Sequence, residues 1–276
     1  VKIILNTLEN VSFSIFNGSL PKEENLSHIY LINSQNFPIS IIQELQSLLN
    51  KKEIQKALKF RFDKDRIEYV VSRGILRILI SKYLRGEGLT KLSGIEKSLQ
   101  DISPQSIQFE QGAFGKPRIS NPKILLGNRS QYIKFNVSHS NGRIAIAFCF
   151  GNGEIGIDIE KIKKPFDYQL IIDHYFSKKE QQYILSEQHF YELWTRKEAL
   201  LKVTGIGLTK DLTNLEVSEN SHISYFTDKR LLPFKDNTYY INSFQVGDYS
   251  LSLALEKNQE FRIFEYPVKT LLPNKP

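Results

Sequence analysis

Ile144 to Phe150 is an unbroken apolar run, I-A-I-A-F-C-F, closed by the turn signal Gly151-Asn152-Gly153. A short run of this kind reads as a buried strand, and it is far below the roughly 20 apolar residues a membrane helix needs. A second strand follows at Ile155 to Ile159, and another precedes it at Ile133 to Val137. These strands put a sheet at the middle of the chain.

Helical spacing appears on both sides of that sheet. Apolar residues recur helically in Ile41–Leu49 and Ile54–Phe62, with Lys51, Lys52, Lys56 and Lys59 interleaved. Asp65 to Leu84 reads as a long amphipathic helix whose apolar side is Ile67, Val70, Val71, Ile75, Ile78 and Leu79. Arg66, Arg73, Arg77 and Arg85 make it basic, and Gly86 and Gly88 end it. After the sheet, helices are expected from near Ser177 and over Phe190–Thr204, followed by strand-like segments such as Ser250–Leu255. Short β segments open the chain at Val1–Ile4, Val11–Phe16 and His28–Leu31, and residues 89–131 are irregular and punctuated by Gly and Pro. Each half therefore carries helices followed by strands. That is an α+β organisation of two similar units, expected at 1–152 and 153–276, and the length of 276 residues suits it.

Charge narrows the partners only a little. Lys and Arg number 37 against 30 Asp and Glu, a formal charge of +7 with a pI near 9.2. Such an excess admits a partner rich in phosphate or carboxylate, nucleic acid included, but also an ordinary solvated surface. Mean hydropathy is −0.31, and no stretch at the start has the make-up of a secretory signal. A single cysteine, Cys149, excludes an internal disulfide and fits a reducing, cytoplasmic compartment. With no Met in the chain, Val1 is not expected to be the initiation site.

The chemistry concentrates in five segments. In Gly156-Ile157-Asp158-Ile159-Glu160, alternation on a strand sends both acids to one face and both isoleucines to the other. Neighbouring carboxylates repel unless a cation lies between them, and Mg²⁺ suits such oxygens. Taken alone, D-x-E is more simply an exposed face paired with Lys161, Lys163 or Lys164. In W-T-R-K-E-A-L-L-K, Trp194, Glu198 and Lys202 share a helical stripe; they form either a metal-and-phosphate pair of groups or an ordinary i,i+4 ion pair beside a core tryptophan. F-S-K-K-E holds either a capping box, Ser177 with Glu180, or a general base at Glu180.

F-N-V-S-H-S places Ser138 beside His139, which on a strand face opposite ways, so they are no hydrolase pair, and no G-x-S-x-G elbow surrounds them. His139 is either structural or a donor to phosphate. F-G-K-P is a turn holding Lys116. C-x-x-C, H-E-x-x-H, Walker A and post-strand G-x-G-x-x-G motifs are all missing, and Cys149 lies in a buried-strand context rather than that of a nucleophile.

In this order, F-G-K-P, F-N-V-S-H-S, G-I-D-I-E, F-S-K-K-E and W-T-R-K-E-A-L-L-K resemble the signature of the 4′-phosphopantetheinyl transferases, of the large, surfactin-activating (Sfp) type. The likeness runs from about Phe114 to Leu212, with a weaker match over Lys56–Arg77. It implies a pseudo-dimer of two α/β halves with the active site between them. The implied activity moves phosphopantetheine from coenzyme A to a serine of an apo acyl, polyketide or peptidyl carrier protein, releasing adenosine 3′,5′-bisphosphate.

The likeness also implies roles for particular residues. Asp158, Glu160 and Glu198 would be ligands of Mg²⁺ (or Mn²⁺), Lys202 would contact phosphate, and Glu180 would be the candidate base. Ser138 and His139 would bind the phosphates of coenzyme A, and Gly115 with Lys116 the adenine end. Lys56 matches a position near the 3′-phosphate. Glu53 stands where the family has a neighbouring lysine, leaving Arg66 and Arg73 as substitutes. A fused pseudo-dimer implies a monomer; separately, the short apolar runs and the low rank of a nucleic-acid module leave neither membrane nor nucleic acid as an expected partner. Two rival readings rank lower: a Mg²⁺ phosphohydrolase, which lacks a further acid or His cluster to position water, and a nucleic-acid module on Lys51–Arg85, which lacks a stacking-aromatic platform.

Overall fold

The computed structural model describes residues 1–86 except 22 and 24, 102–120 except 113 and 114, 132–207 except 166, 210–223 and 228–268. Phe114, Gly88 and most of the irregular 89–131 stretch thus fall outside the described residues.

Two sheets carry the fold. In one, β3 (Ser27–Asn33) leads through α1 (Ile39–Ser47), α2 (Lys51–Ala57) and α3 (Asp63–Leu84) to the hairpin β6 (Ile133–Ser140) and β7 (Arg143–Phe150). The spatial order is β3-β7-β6, antiparallel throughout. In the other, β8 (Ile155–Lys161) leads through α4 (Gln169–Tyr175), α5 (Lys178–Tyr183) and α6 (Glu187–Thr204) to the hairpin β10 (Thr238–Val246) and β11 (Tyr249–Leu255). Its order is β8-β11-β10, again antiparallel. One topology, strand, helices, hairpin, is thus used twice.

The Gly151–Gly153 turn lies between β7 and β8 and so between the sheets, but the chain ends cross over. β1 (Lys2–Thr7) runs parallel to β10, with β9 (Ser221–His222) beyond it. β12 (Phe261–Glu265) runs parallel to β3, with β2 (Phe13–Ile15) on its outer side. A small hairpin, β4 (Phe109–Gln111) with β5 (Pro117–Ile119), forms a two-stranded sheet of its own.

Layering accounts for the apolar run. On β7, Ile144, Ile146, Phe148 and Phe150 join Val71, Ile75 and Leu79 of α3 in one core. Ala145, Ala147 and Cys149 face the other way, into a core between the sheets that includes Ile155, Ile157 and Ile159 of β8 and Leu251 and Leu253 of β11. A strand covered on both faces needs an apolar side chain at every position. A third core sets α6 on Ile3, Tyr239, Ile241 and Ala254. The order of layers is helices, sheet, sheet, helices.

Some helix bounds differ from expectation. Helix α2 spans Lys51–Ala57 rather than Ile54–Phe62 because Asn50 caps it: Asn50 Oδ1 accepts from Glu53 N at 2.9 Å, and Glu53 Oε2 accepts from Asn50 N at 3.0 Å. Helix α3 is buried on more than its expected stripe, since Leu76, Ile80, Tyr83 and Leu84 are also inside. No described helix is long and apolar enough to cross a membrane.

Gly156 lets α6 reach β8. A Cβ on it would lie 2.2 Å from Ala199 O and 2.4 Å from Val203 N, both α6 backbone atoms. Gly156→Ala must therefore push the helix off the strand. The expected loss is about 2 kcal/mol or more, read by urea unfolding; stability equal to the native chain would refute the contact.

Candidate active site

Strands β6 and β8 lie side by side although they belong to different sheets. Side chains of β6 replace the missing ladder. Asn136 Oδ1 accepts from Ile157 N at 3.0 Å, and Ser140 Oγ accepts from Lys161 N at 3.2 Å. Ser138 Oγ donates to Asp158 Oδ1 at 2.8 Å, and Ser140 Oγ donates to Glu160 Oε2 at 2.7 Å. From α6, Lys202 Nζ donates to the same Asp158 Oδ1 at 2.6 Å and to Ser138 Oγ at 2.8 Å. Asp158, Glu160, Glu198, Lys202 and Ser138, expected from the sequence, thus meet at one seam. The hydroxyl of Ser138 is directed at a carboxylate.

The electrostatics at this seam are uncomfortable. Asp158 is buried, and its Oδ2 has no hydrogen-bond partner. Burial, and next the Asp158 charge, pushes Glu198 up to about 7 against the pull of Lys202. Burial, then Asp158, also raises Glu160. A buried carboxylate oxygen without a donor is costly unless a cation comes to it. The donor set, oxygen only, matches a hard divalent ion. Among the described residues, however, no three Asp, Glu, His or Cys side chains stand ready-gathered around one point, and Lys202 takes up Oδ1 of Asp158. The residues fit such an ion in chemistry, and side-chain adjustment is needed to close on it.

Other expected residues lie elsewhere. His139 points to the α3 side, its Nδ1 2.6 Å from Glu68 Oε1, and stays half-exposed; Glu68 also accepts from Gly142 N. Lys116 is turned inward: its Nζ donates to Glu154 Oε2 (2.7 Å), Ile155 O (2.8 Å) and Val203 O (3.2 Å). Burial lowers its pKa, with Glu154 opposing. Its ammonium thus fastens β5 to β8 and α6 instead of reaching for a ligand. Gly115 beside it adopts φ +86° in open space.

Arg73 is also committed. Its Nε and Nη2 donate to Glu53 Oε1 at 2.8 and 2.6 Å, and Arg77 Nε donates to Glu53 Oε2 at 2.9 Å. The acid at the family's lysine position is thus the buried partner of two α3 arginines, and Arg73 gives it two of its donors, Nε and Nη2. Arg66 pairs with Asp63 at the surface, and Lys56 is exposed over the ring of Tyr69.

Glu180 shows the capping box in full: Ser177 Oγ accepts from Glu180 N, and Ser177 N donates to Glu180 Oε2 at 2.8 Å. The side chain is fully buried, with Lys197 Nζ 2.8 Å from Oε2 and Val217 N donating to Oε1 at 3.0 Å. Burial pushes Glu180 up and Lys197 down, and each charge opposes the other's shift. A carrier serine would need an open path to a base, and none of Glu180 faces solvent. The cap is the reading that the geometry carries.

Period-2 spacing on β6 was the signal that would have found Asn136 and Ser140, since both share Ser138's face. Glu68 left no such signal, because its partner lies far along the chain.

Two outcomes follow. Glu180→Gln breaks a buried pair and should lower stability by about 3 kcal/mol in urea unfolding, part of which Lys197→Met in the same chain restores; unchanged stability would remove the pair from the core's support. For Glu198, the folded chain keeps a proton between the usual carboxylate range and about 7 that the unfolded chain has lost. Stability from this group is therefore present at low pH and lost as pH rises through 7. In buffer free of divalent ions, Glu198→Gln should gain on the order of 2 kcal/mol over the native chain at pH 8, shrinking toward pH 5; thermal melts with no such pH trend would contradict it.

Comparison with known proteins identifies the family of the chain. A model of the 4′-phosphopantetheinyl transferase superfamily matches residues 154–254, which hold β8, α6, β10 and most of β11. The 4′-phosphopantetheinyl transferase HetI of Nostoc sp. strain PCC 7120 is 30% identical over 215 residues, 72% of this chain and 79% of the relative. The 4′-phosphopantetheinyl transferase Sfp of Bacillus subtilis strain 168 is 27% identical over 210 residues, 74% of this chain and 80% of the relative. The chain belongs to the 4′-phosphopantetheinyl transferase superfamily.

Proposed function

We propose that this chain transfers the 4′-phosphopantetheine group of coenzyme A to a serine hydroxyl of an apo carrier protein, with a divalent cation, Mg²⁺ or Mn²⁺, held by Asp158, Glu160 and Glu198. The observation that carries the reading is the buried, unpartnered Oδ2 of Asp158 beside two carboxyls whose pKa values are raised. When bound, the cation neutralises charge on the pyrophosphate of coenzyme A.

The chain's own groups do the rest. Lys202, anchored on Asp158 and partly open to solvent, presents an ammonium to a phosphate oxygen as the bond to the adenosine bisphosphate breaks. His139, half-exposed and braced by Glu68, supplies a ring N–H donor for phosphates, and Lys56, exposed on α2, supplies a further ammonium. Gly115 and the backbone at Lys116 remain for the adenine end, since the Lys116 ammonium is engaged inside. The serine oxygen of the carrier bonds to the phosphorus that bears the pantetheine, its proton passes to solvent water, and adenosine 3′,5′-bisphosphate departs with the electron pair of the broken P–O bond on its bridging oxygen. A single chain with both halves contains the whole site, so it works as a monomer, in the cytoplasm, on acyl, polyketide or peptidyl carriers.

The test incubates the protein with coenzyme A, Mg²⁺ and a panel of apo carriers of the three kinds and weighs each carrier. A mass gain of one phosphopantetheine is expected on at least one of them, and Asp158→Ala should slow it by about 100-fold or more. No gain on any carrier would defeat the proposal.

A further inference from the structure

We propose that Ser140 is a positioning residue that ties down one oxygen of Glu160 and leaves the other, together with Oδ2 of Asp158, facing a divalent cation. This rests on the cation reading above.

The inference comes from register. Side chains alternate on both edge strands, so Ser138 and Ser140 of β6 face Asp158 and Glu160 of β8 one to one. Each hydroxyl has a single proton, and each gives it to a single carboxylate oxygen: Ser138 to Oδ1 at 2.8 Å, Ser140 to Oε2 at 2.7 Å. The second oxygen of Asp158 is buried and accepts from no described residue, and the Ser140 bond engages only Oε2 of Glu160, leaving Oε1 outside it. The pair of serines thus divides each carboxylate into a held oxygen and an offered one.

Ser140 is the firmer of the two. Its Oγ accepts from Lys161 N, a backbone donor of the same strand that carries Glu160. That bond fixes where Oγ sits and hence where its proton points. Ser138 instead accepts from Lys202 Nζ, the end of a flexible side chain. Without Ser140, Glu160 keeps its strand position but loses the contact that sets the plane of its carboxylate. Groups that orient ligands in this way are commonly worth 10–100-fold in metal affinity.

Binding of Mn²⁺ in the presence of coenzyme A, followed by the loss of the free-ion electron paramagnetic resonance signal, tests this without reference to turnover. Ser140→Ala should weaken binding about tenfold, and Ser140→Cys, which keeps the volume but donates poorly, should do the same. Ser140→Thr, which keeps the hydroxyl, should bind like the native chain, and circular dichroism should find all of them folded. In a Glu160→Gln background, Ser140→Ala should add nothing, since Ser140 acts through Glu160. Native-like binding by Ser140→Ala, or an equal loss with and without Glu160, would overturn the positioning role alone. Failure of the native protein to bind Mn²⁺ would instead overturn the cation reading itself, and this proposal with it.

Discussion

Everything at the seam depends on how β8 is enclosed. One face of the strand is sealed by isoleucines in the core between the sheets. One edge is laddered to β11, and the other is met by side chains of β6. Its remaining face lies under α6, whose backbone comes close enough only because residue 156 lacks a side chain. With all four directions constrained, Asp158 and Glu160 have little room to relax away from one another or from Lys202. Two acids on one strand face would relieve their repulsion by turning to water if any of these contacts were loose. The glycine and the isoleucines of G-I-D-I-E are therefore as much a part of the site as its acids.

The same fold divides the basic residues into two populations. On α6, Arg196 is buried and donates to Ser243 Oγ at 3.0 Å, Val217 O at 2.9 Å and Thr7 Oγ1 at 2.7 Å. Lys197, next to it, donates to Leu212 O at 2.6 Å and Leu215 O at 2.7 Å. These two cations hold the segments after α6 in place, and only Lys202, further along the helix, turns to the seam. On α3, Arg73 and Arg77 serve Glu53 in the same way. A buried ion pair is a poor source of net stability, but one held by several hydrogen bonds specifies a single arrangement. The positive excess that first suggested nucleic acid is thus partly interior wiring, with Lys56 and its exposed neighbours on α2 left as surface charge.

What the sequence made legible follows from distance along the chain. The strands at 133–137, 144–150 and 155–159 and the facing of Asp158 away from Ile157 are period-2 facts, local to a few residues, and they appear in the structure as expected. The capping box at Ser177 is equally local. F-G-K-P and F-S-K-K-E make Lys116 a candidate for a ligand and Glu180 either a cap or a base, and Arg73 enters only as a substitute for the lysine that Glu53 replaces. Their partners lie far away in sequence: Val203 for Lys116, Glu53 for Arg73, Lys197 and Val217 for Glu180. Motif spacing records which residues recur together and says little about which of them face inward. The crossing of β1 and β12 into the opposite sheets had no local signature either, since parallel pairing with a distant strand leaves no turn to read.

Charge at the seam stays uneven. Lys202 pairs with Asp158, yet burial and the Asp158 charge raise Glu160 and Glu198, even though Lys202 and Lys163 both pull Glu160 down. A cluster kept only for stability would shed an acid or gain a second base, because each carboxyl here makes the others harder to ionise. Elsewhere the same chain gives buried acids direct partners on both oxygens: Glu53 has two arginines, and Glu180 has a lysine with backbone donors. The contrast lies within one molecule and under one set of physical rules. An unsettled group of acids, in a fold that pairs Glu53 and Glu180 internally, is what supports the proposed cation: positive charge brought from outside would satisfy Asp158, Glu160 and Glu198 together.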